Sequence, residues 1–183
     1  MNLLKLKDPF PYEDVEWRIQ QSGLSKDGVP WASVLAYVSA RAIQNRLDDV
    51  CSPENWRTEK PKHIKEDEKL VGVDYGLSIR VPCGSGSDEE NVLSFHRWVT
   101  KWDGADNTEI EPFKGGISGG LKRAAVLWGI GRYLYDLETG WAEFVNSDLA
   151  RKFGAKKVKI QEKWYFWVPP KLPEWALPKV EKK

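Results

Sequence analysis

The sequence contains few of the side chains from which redox, zinc and triad-type catalytic sites are built. Its 183 residues include two cysteines, two histidines and one methionine. Cys51 and Cys83 stand far apart without a Cys-x-x-Cys spacing, which argues against a disulfide framework and a zinc ribbon. Neither His63 nor His96 has a Ser or Cys nucleophile beside it in a recognisable motif. We therefore predict no catalytic residue, no metal ion and no cofactor.

Long apolar runs are also missing from the sequence. No stretch reaches the roughly 18 apolar residues of a membrane span. The N-terminal segment, MNLLKLKDPF, lacks the longer apolar core of a signal peptide. We therefore expect a cytoplasmic protein that has no membrane partner.

The charge is nearly balanced over the whole chain but unevenly distributed along it. Lys and Arg number 28 and Asp and Glu number 27, for a net charge of +1. Residues 151–183 hold ten Lys or Arg and three Glu, a net charge of +7, which leaves −6 for residues 1–150. We interpret residues 1–150 as a core domain and residues 151–183 as a basic C-terminal extension. Such an extension can follow a phosphate backbone, and a solvated charged tail is the alternative.

The spacing of apolar residues predicts a helical start followed by a sheet. Residues 12–21 and 31–50 are interpreted as helices, the second with apolar residues near helical spacing. Residues 71–81 alternate strictly between apolar and small or polar side chains, which is typical of a half-buried strand. Residues 92–102 are expected to form its hairpin partner, and residues 56–60 a third strand.

The rest of the chain predicts one more helix and a second hairpin. A Gly-rich loop leads into an apolar helix, and residues 158–168 are expected to form a basic hairpin that turns near Glu162. A tail rich in Pro and Trp follows, and it should be extended. The predicted fold class is therefore α+β, with an antiparallel three-stranded sheet packed on helices in the order α-α-β-β-β-α.

The segment KGGISGGLKRAAVLWGIGRYLY, residues 114–135, is the most informative part of the sequence. If Ser118 is the N-cap, Lys122 and Arg123 lie near the first helical turn, where free N–H groups and the helix dipole already favour an anion. The segment lacks the GxxxxGK[ST] spacing of a P-loop, so a nucleotide is not the predicted ligand. We interpret the two cations as part of a polyanion site.

Two other interpretations of the charged residues in this region stay open. Lys122 and Arg123 could form a structural salt bridge with Glu109 or Glu111, because buried cations are usually paired. The acidic residues that precede the helix would also suit a metal-dependent nuclease, although their spacing matches no metal-binding loop. The residues of that nuclease site would be Asp103, Asp106, Glu109 and Glu111.

Several stretches of the sequence resemble the Rad52/Rad22 family of single-strand annealing proteins. The resemblance is carried by EWRIQQSG, YVSARAIQNRLDDVCSPENW, and FKGG followed by GGLKRAAVLWGIGRYLY. It covers most of residues 11–137 and is greatest to the bacteriophage, Sak-like branch. The predicted helix, hairpin and helix agree with the core of that family.

The resemblance implies which residues bind DNA. In the family, cations from two helices line a groove that holds the backbone of one strand; Lys122 and Arg123 match its Lys-Arg pair, and Arg41 matches the Arg of the earlier helix. Val126 stands where eukaryotic members have a further Arg, and Arg97 or Arg132 is the candidate to supply that charge. The full set of predicted DNA-binding residues is Arg41, Arg97, Lys101, Lys114, Lys122, Arg123 and Arg132.

The resemblance also implies a function. We expect a non-enzymatic, ATP-independent protein that binds single-stranded DNA and anneals complementary strands in homologous recombination and double-strand break repair. The implied partners are single-stranded DNA, further copies of the chain in a homo-oligomeric ring, and a host or phage single-strand-binding protein. If a phage encodes the protein, it would act in the host-cell cytoplasm. The alternatives are the metal-dependent nuclease and a plain single-strand-binding protein that does not anneal.

Overall fold

A computed structural model of the chain describes residues 1–83, 96–106 and 111–179. The chain forms two compact units, each made of segments that are distant in sequence. Unit 1 comprises Met1–Asp8 and Ser39–Arg132, and unit 2 comprises Pro9–Val38 and Tyr133–Lys183. The division at residue 150 that the charge distribution predicts stays a prediction.

Strands outnumber helices in the described ranges. The strands are β1 (Val15–Leu24), β2 (Pro30–Val38), β3 (Trp56–Thr58), β4 (Lys62–Glu66), β5 (Lys69–Pro82), β6 (His96–Asp106), β7 (Gly140–Trp141), β8 (Glu143–Val145), β9 (Lys156–Ile160) and β10 (Lys163–Val168). The α-helices are α1 (Ala40–Cys51), α2 (Pro112–Leu127) and α3 (Ser147–Phe153). Short 3-10 helices cover Leu3–Lys7, Tyr12–Asp14, Pro53–Asn55, Arg132–Asp136 and Glu174–Ala176. No helix in these ranges is long and apolar enough to cross a bilayer.

Unit 1 is built on a four-stranded antiparallel sheet with β5 at its centre. β3 and β4 pair with successive parts of one edge of β5, and β6 pairs along the other edge. Alternate side chains of β5 face α2, and among them Val73, Leu77 and Ile79 are fully buried. α1 packs against α2. The sheet therefore packs against α2 on one face, and the alternate side chains of β5 and β6, among them Trp98 and Trp102, lie on the opposite face.

Glycines of α2 allow the helix to approach the sheet closely. A Cβ at Gly120 would lie 2.5 Å from the Cβ of Tyr75 on β5, and a Cβ at Gly119 would lie 3.0 Å from the Cβ of Ala105 on β6. A glycine inside a helix costs about 1 kcal/mol relative to alanine. Close packing on the sheet gives these positions a reason to be glycine in spite of that cost.

Unit 2 contains two small antiparallel sheets, one of β1, β2 and β7 and one of β9, β10 and β8. β1 and β2 form a hairpin whose turn includes Gly28, at φ +75°. Trp17 and Val34 are buried from this hairpin, and Ile160 and Trp167 are buried from the second sheet. Lys156 Nζ on β9 donates a hydrogen bond of 2.8 Å to the Trp17 carbonyl on β1.

The α+β class is confirmed, but the predicted order α-α-β-β-β-α is wrong in the first half of the chain. Residues 12–21 belong largely to β1, and residues 30–38 form β2, so that the helix predicted over 31–50 begins only at Ala40. The helix over 12–21 was predicted because acidic residues near position 14 are typical of a first helical turn. In the structure, buried Val15 and Trp17 alternate with exposed neighbours, as side chains do along a strand.

The second half of the chain agrees better with the sequence. β3 pairs with β5 as the third strand, β5 pairs with β6, and β9 pairs with β10 as the basic hairpin. Residues 62–66, for which no strand was predicted, form β4, and the chain turns from β4 into β5 through Asp67 and Glu68 at positive φ. The part of the predicted hairpin over residues 84–95 lies outside the described residues.

Candidate nucleic-acid interface

The Lys-Arg pair lies inside α2 rather than at its start. α2 begins at Pro112, a residue whose fixed φ suits a first helical position. Lys122 is therefore at the end of the third turn and Arg123 at the start of the fourth. The prediction that Ser118 caps the helix and that free N–H groups face the two cations is wrong. Gly119 and Gly120, which suggest a loop in the sequence, lie inside the helix where it packs against the sheet.

Arg123 forms an ion pair with an acid on the neighbouring strand. Its Nη2 lies 2.9 Å and its Nε 3.0 Å from Asp103 Oδ1 on β6. The side chain of Arg123 is 54% exposed and that of Asp103 is 24% exposed. A guanidinium has five N–H donors, so this contact orients the group and leaves donors facing outward.

The predicted alternative partners of the pair are placed differently. Glu111 lies 3.2 Å from Lys114 Nζ, at the opposite end of α2 from the pair, in an exposed contact. Glu109 lies outside the described residues. Lys122 is half-buried, and its side chain leaves the helix about 100° around the axis from that of Arg123. The predicted salt bridge thus exists for Arg123, but its acidic partner is Asp103 rather than Glu111.

Two of the predicted DNA-binding residues bind the C-terminal end of α2. Lys101 Nζ donates to the Leu127 carbonyl at 2.8 Å and lies 4.4 Å from the Trp128 ring centroid. Arg132 donates to the Val126 carbonyl from Nε at 2.8 Å and from Nη2 at 2.6 Å. Cations suit this end of a helix because its last carbonyls have no N–H partner within the helix and carry partial negative charge. A DNA-binding role for either residue stays a prediction.

The environment of Lys101 disfavours its charge. Its pKa is lowered, first by partial burial and then by the positive charges of Arg132 and Lys7. An anion within about 4–6 Å would favour the charged form of this side chain.

The remaining predicted cations are spread over unit 1. Arg41 is exposed at the second position of α1, which packs against α2. Lys114 is exposed in the first turn of α2, about 12 Å along the helix axis from Lys122. Arg97 is exposed on β6, where it pairs with Val81. Among the predicted cations, Lys122 and Arg123 are adjacent on α2, and Lys101 and Arg132 both contact the C-terminal end of that helix.

Two cation–aromatic contacts lie on the sheet face opposite α2, and the sequence analysis missed both. The Arg57 guanidinium lies 4.3 Å from the Trp98 ring centroid, and Lys62 Nζ lies 4.6 Å from that of Trp102. Each tryptophan is 38% exposed. Strand alternation could have placed Trp98 and Trp102 on one face of β6, but pairing with cations from β3 and β4 depends on the strand register.

Ser78 and Glu59 form further polar contacts on that face. The Ser78 hydroxyl donates a 2.5 Å hydrogen bond to Glu59, and Arg57 Nε lies 3.0 Å from the same carboxylate oxygen. These two contacts, the hydrogen bond first, lower the pKa of Glu59.

Two of the described acidic residues of the nuclease alternative contact cations, and the third, Asp106, is exposed at the end of β6. Asp103 contacts Arg123, and Glu111 contacts Lys114. Within residues 1–83, 96–106 and 111–179, no group of three His, Cys, Asp or Glu side chains is arranged to hold a metal ion. Burial raises the pKa of the Cys51 thiol to about 11, which makes it a core side chain rather than a nucleophile.

Comparison with known proteins gives the family. The family model for "Rad52/22 family double-strand break repair protein" matches residues 3–153. The single-stranded DNA-binding protein DdrA of Deinococcus radiodurans is 35% identical over 180 residues, which cover 97% of this chain and 68% of that protein. DdrA of Deinococcus deserti is 32% identical over 178 residues, covering 97% of this chain and 71% of that protein. The match contains all of β1 to β6, α1, α2 and the Lys122–Arg123 pair, and the chain belongs to the Rad52/22 family of double-strand break repair proteins.

Proposed function

We propose that this chain binds single-stranded DNA and anneals complementary strands without ATP, in double-strand break repair by homologous recombination. Membership of the family and the single-stranded DNA binding for which the Deinococcus relatives are named support the proposal. The observation that carries it is the Lys122–Arg123 pair on α2, where Asp103 orients a guanidinium that stays 54% exposed.

The proposed mechanism needs no catalytic group. Lys122 and Arg123 contact phosphates, which positions a strand without reading its sequence. The bases stay free to test a second strand. Neutralisation of phosphate charge lowers the repulsion between the two strands, and Watson–Crick pairing selects the correct partner. Binding should weaken with salt, by about 0.7 log units per log unit of salt for each phosphate contact.

The remaining predicted residues and partners belong to the same proposal. Arg41, Arg97 and Lys114 would extend the contact with the strand, and Lys101 and Arg132 would add charge at the end of α2. Copies of the chain would assemble into a ring that joins these contacts into one groove, with a host or phage single-strand-binding protein as a further partner. Membership of the bacteriophage, Sak-like branch and action in the cytoplasm, where bacterial and phage DNA lies, complete the proposal.

Annealing itself is tested by mixing two complementary labelled oligonucleotides with the purified protein. We expect duplex to form faster than without protein, and equally fast with and without ATP and Mg²⁺. Strands that are bound but stay unpaired would identify a plain single-strand-binding protein, the second candidate, which the names of the Deinococcus relatives favour. Fragments that appear only with Mg²⁺ would support the nuclease alternative instead.

The Arg123–Asp103 contact gives a second test of the site. Asp103→Asn keeps an oxygen that can accept from Arg123 but removes the charge that competes with phosphate. A charge within 4 Å is worth about 1 kcal/mol even in a water-like dielectric, so we expect single-strand affinity to rise about fivefold. Fluorescence anisotropy with a labelled oligonucleotide measures it. Unchanged affinity with lowered stability would mean that the ion pair is structural only.

A further inference from the structure

The geometry points to a second contact surface for single-stranded DNA on the β9–β10 hairpin of unit 2. We call it the hairpin face and define it by Lys157, Lys159, Trp164 and Phe166. It lies beyond residues 3–153, the part of the chain that the family model matches. The inference takes its ligand from the proposed function and adds a site that is separate from α2.

Strand pairing places these four side chains on one side of the hairpin. Lys157 pairs with Phe166, and Lys159 pairs with Trp164. Because side chains alternate along a strand, Ile160 and Trp167 point to the opposite side. Ile160 is 4% exposed and Trp167 is 2% exposed, so the opposite side is the one that packs into the unit.

The side chain of Trp164 is largely exposed to solvent, so burial in the core does not explain a tryptophan at this position. At 65% exposure it is the most exposed tryptophan of the chain. Its ring lies on a sheet, which is the kind of platform on which unpaired bases stack. Lys157 Nζ lies 5.4 Å from the Phe166 ring centroid. The Lys157–Phe166 pair therefore places a cation beside an aromatic ring, next to the Lys159–Trp164 pair.

The charge around the hairpin favours a polyanion. Residues 151–171 contain seven Lys or Arg and one acid, Glu162. Lys159 Nζ lies 3.0 Å from Glu162, but the Lys159 side chain is 46% exposed and that of Glu162 is 93% exposed, so solvent screens this contact. Lys157 and Lys159 are two residues apart on one strand, about 7 Å, which is comparable to the separation of neighbouring phosphates in an extended strand.

The combination selects a single strand over other polyanions. An acidic peptide could use the lysines but would not need an exposed indole. A duplex offers phosphates, but its base faces are already stacked and cannot reach Trp164. Single-stranded DNA supplies both a phosphate backbone for Lys157 and Lys159 and free base faces for Trp164.

Binding of a fluorescein-labelled oligothymidylate to the full chain tests the inference. We expect Trp164→Ala to weaken binding about thirtyfold, the middle of the range for loss of one stacked base. Lys157→Gln with Lys159→Gln should lower the slope of log affinity against log salt by about 1.4. Both variants change exposed residues, and far-UV circular dichroism together with the thermal midpoint checks that each one folds like the wild type.

Matched controls separate local from general effects. Trp141→Ala removes a tryptophan that is 59% exposed, and Lys65→Gln with Lys69→Gln removes the same charge from the exposed β4–β5 turn. We expect both controls to bind like the wild type. A bromodeoxyuridine strand should also crosslink, under ultraviolet light, to the peptide that contains Trp164.

The outcomes distinguish the two proposals. If the wild type binds and substitution of Lys122 and Arg123 weakens binding, while the hairpin variants bind normally and no crosslink maps to the hairpin, the hairpin inference is wrong and the proposed function stands. If the wild type binds no oligonucleotide, the proposed function is wrong and the inference falls with it.

Discussion

Replacement of both Lys122 and Arg123 by alanine should reduce the affinity for single-stranded DNA at least 100-fold. A hydrogen bond to a charged group contributes about 1.5–3 kcal/mol, and the double variant loses two such contacts with phosphate. The slope of log affinity against log salt should fall by about 1.4. Fluorescence anisotropy with an oligothymidylate over a range of salt concentrations measures both values.

The double variant should stay folded, which makes the loss of binding interpretable. Arg123 is 54% exposed, and its pair with Asp103 is a partly exposed ion pair of the kind that contributes at most about 1 kcal/mol. Lys65→Ala with Lys69→Ala is the control with equal charge loss, and it should bind like the wild type. Normal binding by a folded Lys122→Ala, Arg123→Ala variant would contradict the proposed site.

The second large effect concerns stability. Gly120→Val should lower the free energy of unfolding by about 3 kcal/mol or more, because its Cβ would lie 2.5 Å from the Cβ of Tyr75, on a strand that cannot move aside. The branched side chain adds further crowding. Urea denaturation followed by circular dichroism measures the change.

Gly104→Ala provides the comparison for this substitution. A Cβ at Gly104 would meet only the Val73 carbonyl oxygen, at 3.6 Å, an ordinary contact distance. We expect this variant to lose less than about 1 kcal/mol. Equal stability of Gly120→Val and the wild type would mean that α2 does not pack against β5 as described.

The sheet of unit 1 was predictable because its strands have two different faces. Strict alternation over residues 71–81 identified β5, and the partner strand followed from it. β1 was not predictable in the same way, since its alternation is short and acidic residues precede it. The start of α2 was missed because glycines normally indicate a loop, and the reason for Gly119 and Gly120 inside a helix is their contact with Ala105 and Tyr75, which the sequence does not show.

The candidate site was predicted in part for a similar reason. Lys122 and Arg123 stand out in an otherwise apolar helix, so their sequence context was enough to select them. The pairing of Arg123 with Asp103, twenty residues earlier, depends on how β6 lies beneath α2. Contacts of Lys101 and Arg132 with the end of α2 likewise follow from tertiary structure, which composition and spacing do not contain.

The interleaved course of the chain limits what deletion experiments can show. Unit 2 takes its first strands from Pro9–Val38 and the rest from Tyr133 onward. A chain cut at residue 150, where the charge changes sign, would keep β8 but lose β10, its partner through Val145 and Phe166. Such a fragment would expose apolar surface of unit 2. Weaker DNA binding by the fragment could then result either from misfolding or from the loss of DNA contacts, and the experiment would not separate the two causes. Roles of α2 and of the hairpin are therefore separable by point substitution rather than by truncation.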